Sequence, residues 1–449
     1  MGRMQILIVI ITVTLNMLDG FDVASIALAT NGIMGEFGLT DRAQLGIVLS
    51  AELIGMALGS IFLGGVADRY GRRPMMLGCL VVMSLGMYMV TREAGIIANG
   101  IHSAALSFGL LENTQTGIIH IMVWRVITGL GIGGMLAAIN AVVAEYSNKK
   151  RKHLNVSIMA MGYPIGVAIG SQISSVLLAQ YSWHSVFYLG FFWTLALLPI
   201  VYFFVPETVS WVAMKRPPDA VAKINSTMTR LGFAQVQELP PVTQAENKAS
   251  VLDIFSPTLI LTTILVTAAY FFHITTFYFI AKWVPYFVGT LGFDPSSAAE
   301  MLFWVSVGGA TGGGLLGLLT MKWGLKPLTI LSMIGSTVLV IIFGNSPASY
   351  STLAVICFGA GFFTNATING MYAIFAHCYP THVRAVGTGF AIGVGRGGAV
   401  LGPTIAGFLI EGGVSFPSTA VVLSMGSLVA AGALIFLKIR AAEESGAAA

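Results

Sequence analysis

Apolar residues run along this chain in long unbroken stretches, not at the i, i+3, i+4 spacing of a helix with one buried face. A membrane-spanning helix needs about 20 predominantly apolar residues. The stretches predict twelve such helices, at 4–30, 44–66, 75–91, 119–144, 154–180, 184–205, 258–282, 296–320, 328–344, 352–376, 386–410 and 416–438. Six precede the one long hydrophilic segment, KRPPDAVAKINSTMTRLGFAQVQELPPVTQAENKAS (215–250), and six follow it. The pattern therefore predicts an all-α membrane protein of 12 transmembrane helices in two six-helix bundles. The N-terminal bundle occupies 1–206, a cytoplasmic linker 207–255 and the C-terminal bundle 256–449. A further apolar segment, IIANGIHSAALSFGLL (96–111), competes for a place as a thirteenth crossing.

Charge settles the count. With the N-terminus inside, 18 of the 23 Lys and Arg residues fall in inner segments and two, Arg42 and Arg92, in outer loops. Arg125, Lys282 and Arg396 lie in or at the edge of helices. Such an excess of inner basic residues is the signature of orientation in a membrane. A crossing at 96–111 would carry the KKRK run (149–152) to the outside, so that segment is expected as an outer-surface or re-entrant helix. Both termini are then cytoplasmic.

Composition narrows the function. The chain is 56% hydrophobic and 9% charged, against about 25% charged in soluble domains. Its 53 glycines and 16 prolines suit membrane helices, where both are more frequent than in soluble ones. Three cysteines, Cys79, Cys357 and Cys378, are odd in number and have no metal spacing, so neither a disulfide framework nor a zinc site is expected. The first apolar stretch is too long for a signal peptide. A net charge of +4 does not suggest a nucleic-acid partner. GVGRGG (393–398) lies inside a helix with no strand before it, so it is no dinucleotide site. With no nucleophile motif or metal constellation, a membrane enzyme is the weakest reading.

The two halves repeat each other. GGVADRYGRRP (64–74) matches GLLTMKWGLKP (317–327), with Met321 in the place of Asp68. RVITGLGIGGMLAAINAVVAEY (125–146) aligns less strictly with CFGAGFFTNATINGMYAIFAHCY (357–379). Paired bundles with a site between them are the plan of a secondary transporter.

GGVADRYGRRP resembles the loop 2–3 signature of the major facilitator superfamily, RVITGLGIGG (125–134) its helix-4 motif, and VPETVSW (205–211) its proline-glutamate motif. Within that superfamily, LDGFD (18–22) together with YPTHVRAVGTGFAIGVGRGGAVLGP (379–403) resembles the aromatic acid:proton symporters. These are bacterial inner-membrane carriers of benzoate-type acids such as 4-hydroxybenzoate, protocatechuate and gallate. The loop 2–3 motif alone points only to the superfamily. The resemblance implies proton-coupled import of an aromatic or related organic acid by alternating access. It implies a monomer in the bacterial cytoplasmic membrane, driven by the proton gradient without a cofactor. Proton-antiporting efflux on the same fold is the alternative.

The candidate residues are polar groups inside the apolar runs. An Asp at a helix centre costs about 2.5–3.5 kcal/mol on insertion scales, so it faces a cavity or a partner. Asp19 and Asp22, three residues apart, share a helical face, with Gly20 between them. Two close acids oppose joint ionisation, which favours proton uptake; a structural pair is the alternative. Arg125 is expected within ~3 Å of the level of Asp22, so the two form either a coupling contact or a permanent salt bridge. Arg396, mid-helix among glycines, suits planar recognition of a substrate carboxylate or bonds helix carbonyls.

Glu52, Lys282 and His273 depart from the family pattern. Glu52 and Lys282 pair with each other, or Lys282 serves a second acidic group on the substrate. His273 is a titratable group or a structural one. All three are candidates for substrate binding, and Phe271, Phe272, Phe277, Tyr278 and Trp283 are available to stack a ring, although packing explains most of them. On the inner side Asp68, Arg69, Arg72, Arg73, Glu145 and Arg384 are expected to clamp helix ends as gates. Gly162, Pro164 and Gly166, and Gly402 with Pro403, mark flexible or tightly packed points in helices 5 and 11.

Overall fold

The computed structural model describes residues 2–107, 114–148, 151–239, 251–380 and 383–437, and among them every regular element is helical. In the first half these are α1 (Arg3–Phe37), α2 (Arg42–Tyr70), α3 (Arg72–Val90), α4 (Ile96–Ser107), α5 (Thr116–Tyr146), α6 (Lys152–Gln180) and α7 (His184–Phe204). Two short helices follow, α8 (Val209–Lys215) and α9 (Ala220–Leu231), then a 3-10 turn at Val251–Phe255. The second half holds α10 (Ile260–Thr290), α11 (Pro295–Trp323), α12 (Leu325–Gly344), α13 (Tyr350–Cys378), α14 (Arg384–Glu411) and α15 (Phe416–Phe436). Twelve of the described helices are long and apolar enough to cross a membrane. Several outlast their apolar runs. α1 continues to Phe37 and ends at Gly38, whose left-handed φ of +56 suits glycine.

The segment that competed for a thirteenth crossing is α4. Its 12 residues span about 18 Å, short of the roughly 30 Å hydrocarbon layer. Residues 108–111 of that segment lie outside the described ones.

The chain divides into two compact units. One comprises Met1–Gly38 with Ala51–Ala245, the other Leu39–Ser50 with Glu246–Ala449. In the first, α1 packs on α6, and α3 on α5 and α7; in the second, α10 packs on α14, and α12 on α13 and α15. Corresponding helices thus take corresponding partners, and the repeat seen in the sequence is a repeat of packing.

Small residues set the close crossings, as they do where helices have no hydrophobic drive to associate. Gly162, Gly166 and Gly170 form a stripe on α6 against α1. A Cβ at Gly166 would stand 1.9 Å from the Met17 carbonyl oxygen. The MGYPIGVAIG stretch is therefore a tightly packed point. α2 and α5 mesh reciprocally: Gly55 and Gly59 meet the main chain of Val126 and Leu130, while Gly129 and Gly133 meet that of Glu52 and Met56.

The hydrophilic segment begins as folded structure. Val212, Ala220 and Ile224 bury a small core under Trp211, Met228 and Val236. Asn225 bonds Val236 twice, its amide donating to the carbonyl at 2.9 Å and its oxygen accepting from the N–H at 2.8 Å. Residues 240–250 lie outside the described ones.

Candidate functional site

The first unit encloses a charged centre. Asp19, Asp22, Glu52 and Arg125 are all 0% exposed. Three acids and one base thus sit in an apolar bundle, where an unpaired charge is costly. The meshed glycines of α2 and α5 explain the geometry. Gly129 lets Glu52 approach α5, and Arg125 lies one turn before Gly129 on the same face. Arg125 forms its ion pair with the Glu52 carboxylate. Its Nη2 also donates to the main-chain carbonyl of Asp22 at 2.6 Å, and its Nη1 to the Met87 sulfur at 3.3 Å. The guanidinium stands 5.5 Å from the Phe187 ring centre.

The expected contact between Asp22 and Arg125 is therefore present but made through the backbone. The carboxylate partner is Glu52, for which a pairing with Lys282 was one of the alternatives. Depth along a helix predicted the level of Arg125; rotation about the helix decided which oxygen it reaches. Neither oxygen of the Asp22 carboxylate has a hydrogen-bond partner among the described residues. The group points toward α7, where a Cβ on Gly190 would come within 3.2 Å of its Oδ1. Gly190 thus supplies the space that the acid occupies.

The second unit holds cations in its spans. Lys282 of α10 is fully buried. Arg396, midway along α14, is half-buried and forms no hydrogen bond or ion pair among the described residues. Gly395 and Gly398 lie against Tyr270 and the Phe271 carbonyl, fastening α14 to α10 on either side of the guanidinium. At Gly393 an added Cβ would meet nothing within 4 Å, so the helix has an open face one turn away.

Tyr270, whose ring lies against Gly395 next to Arg396, shares a hydrogen bond between hydroxyls with Tyr372 of α13 at 3.1 Å. Tyr270 is 4% exposed and Tyr372 42%, so the pair has one buried and one open member. An arginine with no bond among the described residues, next to Tyr270 and its hydroxyl partner, can hold a carboxylate while the phenols face a ring or hydroxyl. Sequence reasoning passed over both tyrosines. The available signal was that a tyrosine hydroxyl inside an apolar run needs a partner.

His273 is committed to its own unit. Its Nδ1 lies 2.9 Å from the Ser427 hydroxyl and its Nε2 3.0 Å from the Thr364 carbonyl. With both nitrogens bonded, this conformation favours the structural alternative over substrate contact.

Several expected gate residues meet where α3 begins. Gly71 has φ +113, a conformation that favours glycine, and a Cβ there would collide with the Glu207 carboxylate at 2.2 Å. Glu207 accepts from the N–H groups of Arg72 and Arg73 at 3.0 and 3.2 Å. It is an acid on a helix N-terminus, where unsatisfied donors and the dipole both favour it. Arg72 pairs with Glu145 at 3.5 Å, and Arg73 donates to the Tyr202 carbonyl at 2.6 Å. Arg69 is exposed over the Tyr70 ring. Arg384, expected in a related clamp, instead donates to the Tyr379 carbonyl of its own segment at 3.3 Å. The side chain of Asp68 lies outside the described residues.

The function of Glu207 was hidden because the motif holding it sits far along the chain from the helix it caps. Glu207→Ala should lower thermal stability in detergent by about 0.5–2 kcal/mol, the range for a lost helix cap, with Glu207→Gln in between. Equal melting of all three proteins would dismiss the cap.

A second cluster lies at the start of α2. The Arg42 N–H donates to the Glu411 carboxylate at 2.7 Å, and its Nε to the Tyr286 hydroxyl at 2.7 Å. Ser50 donates to the Val400 carbonyl at 2.9 Å and lies 2.8 Å from the Thr404 hydroxyl. Arg42 entered the sequence reading only as a loop charge.

The chain matches the family model described as Major Facilitator Superfamily over residues 10–312 and 265–449. It is 29% identical over 454 residues to the 4-hydroxybenzoate transporter PcaK of Acinetobacter baylyi, covering 98% of this chain and 92% of the relative. It is 27% identical over 425 residues to the 3-(3-hydroxy-phenyl)propionate transporter of Escherichia coli, covering 94% and 92%. The fold is similar to the inward-open xylose transporter XylE of E. coli, with a TM-score of 0.73 over 97% of each chain. At 16% identity that likeness concerns the fold alone.

Proposed function

We propose that this chain, which belongs to the Major Facilitator Superfamily and is a multi-pass membrane transporter rather than an enzyme, imports a hydroxylated aromatic carboxylate together with protons. The observation that carries the reading is Arg396, a half-buried cation with no bond or ion pair among the described residues, next to the Tyr270–Tyr372 hydroxyl pair. A guanidinium offers a fork that matches a carboxylate, and the phenols match a ring that carries a hydroxyl. The two relatives are named for such molecules.

Protons are assigned to the acid centre of the first unit, where burial makes ionisation expensive. Lys282 is reserved for a second acidic group, if the substrate has one. The distribution of basic residues supports placing the N-terminus, α8, α9 and the Glu207 cluster on the cytoplasmic side of a bacterial inner membrane.

Counterflow in proteoliposomes tests the substrate class. Vesicles loaded with unlabelled 4-hydroxybenzoate should take up the labelled acid, and an inside-alkaline pH gradient should drive its accumulation from empty vesicles. Failure with every benzoate-type acid would sink the reading.

A further inference from the structure

We propose that Glu52 is a positioning residue of the proton site: it takes Arg125 as its own counter-ion and so leaves the Asp22 carboxylate without one. The proposal rests on the proton-coupled reading above. Its basis is the way the buried donors and acceptors are divided. Arg125 spends its charge on Glu52, and its bond to α1 reaches only the Asp22 carbonyl. Among the described residues the Arg125 Nε has no hydrogen-bond partner, and neither has either Asp22 carboxylate oxygen. An arginine with an unused N–H thus lies beside an acid with two unused oxygens, in a site where all four charged residues are fully buried.

The charged groups acting on Asp22 are Arg125 on α5, Glu52 on α2 and Asp19 on α1. The elements α3 and α7 add the uncharged Met87 and Gly190 beside it. One guanidinium serving competing carboxylates has two discrete arrangements, the element that coupling requires. With Arg125 on Glu52, Asp22 is a buried carboxylate lacking a hydrogen bond, and it gains most by taking a proton. The proton comes from water on the open side and forms the O–H bond of a neutral acid. When Arg125 turns to Asp22, the carboxylate becomes the better partner and the proton leaves as hydronium. Glu52 holds the first arrangement. Without its charge, Arg125 has only the α1 acids to turn to, and Asp22 is held ionised through the cycle.

Glu52→Gln should therefore keep counterflow, which needs no net proton movement, and lose accumulation driven by a pH gradient. Glu52→Asp keeps the charge on a shorter arm and should recover part of it. A second readout does not depend on transport. A hydrophobic carbodiimide modifies protonated buried carboxyls, and fragment mass spectrometry assigns the adduct. Labelling of Asp22 should fall in Glu52→Gln and return in Glu52→Gln/Arg125→Gln, because the competing guanidinium is gone. A merely structural Glu52 would not be rescued by removing a second charge. Where Glu52→Gln does not insert, the charge-balanced Glu52→Gln/Arg125→Gln variant carries the test, and loss of Asp22 labelling in it overturns the proposal. So does wild-type accumulation by Glu52→Gln. If wild type itself fails to accumulate the acid, the import reading fails; a wild type that accumulates beside an unaffected Glu52→Gln refutes the assignment of Glu52 alone.

Discussion

Arg396→Ala should bind an aromatic carboxylate roughly 10–150-fold more weakly than wild type, from a loss of about 1.5–3 kcal/mol for one charge-assisted hydrogen bond. The side chain sits midway along α14 with no bond or ion pair among the described residues, so removing it disturbs little else. Arg396→Lys keeps the charge and loses the planar fork, and should fall between the two. Tyr372→Phe deletes the open member of the hydroxyl pair. It should weaken a hydroxylated acid more than benzoate, because benzoate has no phenol to lose. Lys282→Ala provides the contrast. For a monocarboxylate it should change little; for a substrate with a second acidic group both cations should matter. Isothermal titration in detergent measures all four variants. If Arg396→Ala binds as tightly as wild type, the arginine is a packing residue and the anion site lies elsewhere, with Lys282 and Arg125 next to be tested.

The helices were legible because hydrocarbon imposes one length and one solution for backbone polar groups. Charge argued against a crossing at the segment that begins as α4, since a crossing would have scattered the basic loops. The site residues stood out for a related reason: an acid or base in an apolar run is too expensive to be incidental. Partners were another matter. Sequence spacing gives the height of Arg125 but not the side of α5 from which it reaches. That side depends on Gly55, Gly59, Gly129 and Gly133 bringing α2 close enough for Glu52 to intervene. Glu207 lay in a recognised motif, yet its role as a cap on α3 exists only once α7 has returned to that end of the bundle. Tyr270 and Tyr372 were hidden among 27 phenylalanines and 13 tyrosines, and only their shared hydrogen bond separates them from the other rings. The folded hairpin of α8 and α9 escaped notice because its core is three residues wide.

Asp22→Asn should abolish proton-driven accumulation while leaving counterflow in place. An asparagine has the shape of the protonated acid and cannot give the proton up. The carrier can then still exchange one substrate molecule for another but has nothing to couple to the gradient. For one proton per substrate, each pH unit of gradient is worth about 1.36 kcal/mol, a concentration ratio of roughly ten; in the variant that ratio should fall to about one. The substitution should not unfold the protein, because it replaces a fully buried carboxylate with no hydrogen-bond partner among the described residues by a neutral group of the same size. Asp19→Asn, on the same face of α1 and also fully buried, should lose accumulation too. Gly190→Ala supplies an independent check on the site. It adds a methyl group 3.2 Å from the Asp22 Oδ1 and 2.6 Å from the end of Met87, so it should impair coupling without touching a charge. Labelled 4-hydroxybenzoate followed in proteoliposomes under an imposed pH gradient measures each variant against counterflow in the same preparation. Wild-type accumulation by both Asp19→Asn and Asp22→Asn would remove the proton from this centre, and with it the physical reason for burying three acids around one arginine.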